Sequence, residues 1–146
     1  MGRRLFFEDV DIGDSLPTLA FQFTPEAIRV LVKIWTPERG PTHFDNQALA
    51  QQMGFRRPIV PSHLSMAYLS HVVLAWSDNI QLKRIDVICR QVLFDDDRVT
   101  CKGVVVDKVA DDGEPLVYVD LYMENEGGER PLTGSARVLL PHRPVQ

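Results

Sequence analysis

Cysteine is scarce: Cys89 and Cys101 are the only two, they stand twelve positions apart, and no histidine lies near either in sequence. This excludes a CxxC redox motif and gives no support to a zinc site; both fall in β-branched-rich runs, where reduced thiols of a cytoplasmic protein are expected. Long apolar runs are also missing. The longest, Leu64 to Trp76, is broken by Ser65, Ser70 and His71 and falls short of the roughly 18 residues that cross a bilayer. The basic start around Arg3 and Arg4 meets Glu8 and Asp9 before any apolar core of a signal peptide, so no export is implied. Nor is there a surplus of positive charge: 16 Lys and Arg face 20 Asp and Glu, net -4, which argues against general binding of nucleic acid. No repeat or low-complexity tract interrupts the 146 residues, of which 45% are apolar, so one soluble domain over 1–146 is expected.

What is present reads as a short strand, three helices and four further strands. Phe6 to Pro17 reads as an extended opening segment, and Leu19, Phe21 and Phe23 alternate as in a strand with one buried face. Thr24-Pro25-Glu26 is a helix start, with Ile28, Leu31, Val32 and Trp35 on the apolar side, and Pro37 ends it. Asn46 to Met53 reads as a short helix capped by Asn46 and stopped at Gly54. The helix from Ser62 to Trp76 carries apolar residues on most of its surface, which predicts burial nearly all round. Leu82 to Leu93, Val99 to Val109, Leu116 to Met123 and Leu132 to Leu140 are strands separated by "FDDD", "ADDGEP" and "NEGGERP". An antiparallel sheet wrapped around the apolar helix, an α+β arrangement, is the economical packing.

Between the first two helices lies "PERGPTHFD", residues 37 to 45, which is either a polar turn or a site. With "FFEDVDIGDSLP", "TPEAIRVLVKIW", "MGFRRPIVPSHLSMAYLS" and the closing "GSARVLLP", it resembles the MaoC-like or (R)-specific enoyl-CoA hydratase family of the hotdog fold, along essentially the whole chain. The family's Asp-x-Asn-Pro-(Ile/Leu/Val)-His signature aligns with Glu38-Arg39-Gly40-Pro41-Thr42-His43, keeping the five-residue separation of acid and histidine. Glu38 stands for the family's Asp, Gly40 for its Asn and Thr42 for its aliphatic residue, while Pro61 and Ser62 occupy the usual His-Gly positions.

The resemblance implies reversible hydration of a 2-enoyl thioester, carried by coenzyme A or acyl carrier protein, with no metal or redox cofactor, in a homodimer whose acyl tunnel lies at the junction of the two sheets. A thioesterase on the same fold and a non-catalytic partner subunit are the competing readings. Hydration removes a proton from water as its oxygen attacks C3 and delivers a proton to C2, so two positioned groups are needed. Glu38 and His43 are the candidate pair, with Pro37 and Pro41 restricting the backbone between them. Charge gathers on the thioester oxygen, and in the family the backbone N–H at the position of Ser62 receives it; Ser62 alternatively caps the long helix. Pro61, His63 and Ser65 border that helix start. Arg56 and Arg57 either hold the phosphates of coenzyme A or are solvated. Asp45 either pairs with His43 or caps the short helix. Trp35, Phe44, Tyr68 and Trp76 line a tunnel or form plain core. His63 and His71 lack an acidic partner at ligand spacing, so no metal is expected.

Overall fold

Alternation in four consecutive strands produces one five-stranded antiparallel sheet in the computed structural model, which describes residues 2–38, 40–110 and 113–146. Arg39 and the Asp111-Asp112 pair of the "ADDGEP" turn lie outside the described residues. In chain order the elements are β1 (Leu19–Gln22), α1 (Pro25–Trp35), α2 (Gln47–Gln52), α3 (Ser62–Leu74), β2 (Gln81–Cys89), β3 (Arg98–Val109), β4 (Leu116–Asn125) and β5 (Leu132–Leu139). The spatial order is β1-β3-β4-β5-β2. The opening segment, read from the sequence as a strand or an extended entry, forms a 3-10 turn at Phe7–Asp9 and then runs beside β3, with a bridge between Ser15 and Val104 and backbone hydrogen bonds from Gly13 to Val105, from Leu16 to Gly103 and from Val105 to Asp14.

Helix ends follow the sequence. Thr24 accepts the Ala27 N–H at 3.2 Å with Pro25 behind it, and Asn46 accepts the Leu49 N–H at 3.0 Å, each satisfying one of the unpaired donors of a helix start. Gly54, just beyond α2, takes φ +91°, a conformation that costs residues with a Cβ.

The sheet curls around α3, which packs across β2, β3 and β4. Val99, Cys101 and Val105 of β3, Val117, Val119, Leu121 and Met123 of β4, and Ala136 and Val138 of β5 all point inward at two-residue spacing. They meet Leu69, Val72, Val73 and Trp76 from the helix side, and Phe23, Ile28 and Val32 close one end of the same core. Tyr68 stacks on both Phe21 and Phe23, with ring centroids 4.5 and 5.1 Å apart, and Trp76 is buried, so these aromatics are core. Burial has pushed the Cys101 thiol up to about 12, which leaves it protonated and inert, whereas Cys89 is exposed at the end of β2.

The all-round burial expected of α3 is corrected here. Ser65, Leu69, Val72 and Val73 are buried, but His63, Met66, Ala67, His71 and Leu74 face outward, with Leu74 49% exposed. The apolar residues circle the helix so evenly that the pattern names no face, and one concave sheet covers only one side of a cylinder. Strands β1 and β2 are the sheet edges, and β2 is hydrogen-bonded only to β5.

Gly134 is what lets β5 and β2 lie so close: a Cβ there would stand 2.4 Å from the Asp86 carbonyl oxygen, a backbone atom with nowhere to go. Gly134→Ala is therefore expected to cost roughly 1–3 kcal/mol as β2 is pushed aside. Urea denaturation checks this, and an unchanged midpoint would contradict it.

Candidate functional site

The loop after α1 is built by its hydroxyls and one carboxylate. Thr36 ends the helix, donating both its N–H and its hydroxyl to the Val32 carbonyl at 2.9 Å, and Pro37 follows. The Asp45 carboxylate accepts the Thr42 N–H at 2.6 Å and the Thr42 hydroxyl at 3.1 Å, while Thr42 Oγ1 accepts the Phe44 N–H at 3.2 Å. The Thr42 carbonyl takes the N–H groups of Asp45 and Asn46. Asp45 thus does neither of the things expected of it: it closes the turn that carries His43, and Asn46 caps α2. His43 is half-buried with its ring 4.0 Å from that of Phe44. It lines a shallow cleft of about 320 Å³ with Gly40, Pro41, Leu49 and Met53. Glu38 is exposed in the turn before it, and among the described residues it makes no ion pair with His43.

The start of α3 is fixed by a short clamp between two loops. Pro58–Val60 runs antiparallel to Leu93–Asp95: the Val60 N–H donates to the Leu93 carbonyl at 2.7 Å, the Asp95 N–H to the Pro58 carbonyl at 3.0 Å, and Ile59 bridges Phe94. The Ile59 N–H donates to the His43 carbonyl at 3.3 Å, tying the histidine loop to the same clamp. Pro61, buried and extended (φ -60°, ψ 132°), is the cap residue, and Ser62 is the first helical residue. The expectation that Ser62 itself caps the helix is corrected. Pro61 contributes no side-chain cap, and its carbonyl accepts the Leu64 and Ser65 N–H groups at 3.0 and 3.4 Å. The Ser62 N–H has no acceptor within the helix, and no acidic side chain occupies the first turn.

Ser62 and Ser65 face a cleft of about 240 Å³ whose other walls are Ile59, Cys89, Val92 and Leu132. Ser65 is 2% exposed and its hydroxyl donates to the Ser62 carbonyl at 2.9 Å, which steadies the first turn. The structure brings Ser62, Ser65 and Pro61 together here. It does not bring His63, whose ring stands edge-on to Trp35 at 4.6 Å, outside the cleft. His43 and Ser62 open into separate clefts, with Ile59 between them.

Of the two arginines, expected either to hold phosphates or to be solvated, Arg57 is ion-paired within the fold. Its Nη2 lies 3.2 Å from Asp97 Oδ1 and also donates to the Asp95 carbonyl; its Nε lies 3.1 Å from Asp95 Oδ1, too misaligned for a hydrogen bond. Burial raises the Asp95 carboxyl, Arg57 opposes that rise, and Asp96 and Asp97 reinforce it. Arg56 is exposed, with its guanidinium 4.4 Å from the centre of the Phe94 ring.

The walls formed by Cys89, Val92 and Leu93 escape sequence reading because their segment looks like unbroken strand. The chain leaves the ladder after Cys89, where the N–H groups of Arg90 and Gln91 both turn to the Pro131 carbonyl. Pro131 was the available signal. Among the described residues no three His, Cys, Asp or Glu side chains gather where a metal could sit, and no helix is long and apolar enough to cross a membrane.

Neither the protein-family models nor the curated proteins give a match to the sequence. Solved structures do. An (R)-hydratase from A. caviae involved in PHA biosynthesis superposes with a TM-score of 0.81 at 20% identity, over 92% of this chain and 99% of that one. The MaoC-like dehydratase from Rhodospirillum rubrum gives 0.79 at 17% identity over 97% and 99%. The ChsH1-ChsH2 complex from Mycobacterium tuberculosis gives 0.74 at 20% identity over 90% and 98%. The chain has the hotdog fold of these proteins, as the resemblance implied.

The clamp generates a test. Arg57→Ala strands two carboxylates and is expected to lower stability by roughly 1–3 kcal/mol, a range set between exposed and buried pairs. With its folded-state pKa raised, Asp95 favours folding in its protonated form, a contribution lost as pH rises through that pKa. Removing Arg57 raises it further, so the deficit is expected to grow from acid to neutral pH in thermal melts. A deficit equal at both ends would contradict the assignment.

Proposed function

We propose that this hotdog chain is a MaoC-like hydratase or dehydratase, adding water reversibly across the double bond of a 2-enoyl thioester. The observation that supports it best is the start of α3: a buried proline caps the helix, the Ser62 N–H that follows has no acceptor within the helix, and Ser62 lines a cleft. A thioester carbonyl received there gains hydrogen bonding and dipole stabilisation as negative charge moves onto its oxygen. Water then attacks C3 as a proton is taken from it, and a second proton is delivered to C2. His43, held by the Thr42–Asp45 turn and joined to the clamp through Ile59, is the group proposed to exchange those protons, with Glu38 as its carboxylate partner. Pro61 and Ser65 shape the helix start, and the proposed compartment is the cytoplasm.

The Ser62 cleft is lined in part by Cys89, at the end of the edge strand β2. A second copy pairing along β2 would wall the cleft and cover apolar surface such as Ile88, 55% exposed. A homodimer is therefore part of the proposal. Light scattering is expected to give about twice the 16.6 kDa chain mass, and a monomer at micromolar concentration would contradict it.

The exposure of Glu38 favours a second reading, a non-catalytic subunit that binds the thioester beside an active partner; one of the similar folds belongs to a complex of two named components. The two readings separate in one assay. Purified protein with crotonyl-CoA and longer enoyl-CoAs is expected to bleach the conjugated-enone absorbance, with His43→Ala and Glu38→Gln each slower by roughly 10²-fold. Binding without turnover would favour the subunit, release of free thiol a thioesterase, and an unimpaired Glu38→Gln would remove Glu38 from the site.

A further inference from the structure

The His43 ring packs against Phe44, and among the described residues neither of its nitrogens is hydrogen-bonded. Its aim therefore follows from the backbone that carries it. The peptide plane after His43 fixes the ψ angle of that residue, and both ends of the plane are held: the His43 carbonyl accepts the Ile59 N–H at 3.3 Å, and the Phe44 N–H donates to Thr42 Oγ1 at 3.2 Å. A plane gripped at both ends has little freedom to swing.

The second grip belongs to a side chain. Thr42 stands where the family signature has an aliphatic residue, and an aliphatic side chain has no atom that could accept the Phe44 N–H. The hydroxyl can accept from Phe44 while its own proton points elsewhere, and the Asp45 carboxylate, 3.1 Å away, is the acceptor that takes that proton's hydrogen bond. Asp45 Oδ1 also receives the Thr42 N–H at 2.6 Å, a charge-assisted bond that holds the carboxylate in place. Asp45 thus directs the hydroxyl, and the hydroxyl holds the plane. Gly40, where the signature has Asn, offers the loop no side-chain hydrogen bond.

We propose that Thr42 is a positioning residue for His43 and that Asp45 acts through Thr42. The proposal rests on the reading of His43 as the group that exchanges protons, and deepens it by naming what aims the imidazole. Proton transfer needs its partners within hydrogen-bond reach, and a displacement on the order of 1 Å is enough to cost about 10²-fold in rate.

Three substitutions test this. Thr42→Val removes the hydroxyl at nearly constant volume, Thr42→Ser keeps it, and Asp45→Ala removes the group that directs it. With crotonyl-CoA, Thr42→Val and Asp45→Ala are each expected to lower kcat roughly tenfold or more while KM stays within about twofold, and Thr42→Ser to retain the kcat of the unaltered protein. The double variant Thr42→Val/Asp45→Ala is expected to be no slower than Thr42→Val alone. In a His43→Ala background Thr42→Val is expected to leave the residual rate unchanged, which a general loosening of the fold would not do. A readout free of turnover comes from NMR of protein labelled at histidine. The His43 ring signal, identified by its loss in His43→Ala, is expected to be single and sharp in the unaltered protein and in Thr42→Ser, and broadened or doubled in Thr42→Val. In an active protein, an unchanged kcat for Thr42→Val would overturn the positioning role and leave the hydratase reading intact, as would a loss of rate that persists at full size in the His43→Ala background. In a protein without turnover the hydratase reading fails and the NMR decides: a signal that broadens in Thr42→Val supports the positioning role, and one that does not overturns it.

Discussion

Everything proposed for this protein depends on two loop segments held side by side, Pro58–Val60 and Leu93–Asp95. Two backbone hydrogen bonds and the Arg57–Asp95–Asp97 cluster join them, and Ile59 reaches on to the carbonyl of His43. This small patch decides where the rigid extended cap Pro61 stands, and hence where the first N–H of α3 points. It also sets Leu93, which lines the Ser62 cleft. A half-buried ion cluster of modest net strength is well suited to this task, because it fixes geometry through directional contacts more than it adds stability.

The helix that carries the site has two unlike sides. Leu69, Val72 and Val73 lie in the common core with strands β3, β4 and β5, each burial contributing roughly 1.5–3 kcal/mol before entropy is counted. The outer side presents Met66 and Leu74. The proposed second subunit, pairing along the edge strand β2, would cover apolar surface such as Ile88 and wall the Ser62 cleft from water. Excluding water strengthens every hydrogen bond and charge interaction used in proton transfer.

Much of this was legible in the sequence, for reasons that can be given residue by residue. Strands β3, β4 and β5 announced themselves by alternation against an apolar core, and the helix starts at Thr24 and Asn46 by side chains chosen to satisfy free N–H groups. The start of α3 at Ser62 was also readable, but not that Pro61 would be the cap, since proline has no side-chain acceptor and only the backbone angles reveal the role. The ion pairing of Arg57 was hidden because a sequence does not show that Asp95 and Asp97, some forty positions away, return beside it. The exposed side of α3 was hidden by a helix that is apolar almost everywhere. The walls Gln91 to Leu93 were hidden by a strand-like run that bends away from its ladder.

The central claim is that the Ser62 N–H receives the carbonyl oxygen of an acyl thioester. It is tested most directly by a crystal structure with a coenzyme A thioester analogue in which methylene replaces sulfur and the carbonyl is kept. The account places that carbonyl oxygen roughly 2.7–3.1 Å from Ser62 N, the distance at which such a donor acts on developing charge. An analogue bound away from the start of α3, or with its carbonyl turned away from Ser62, would contradict it.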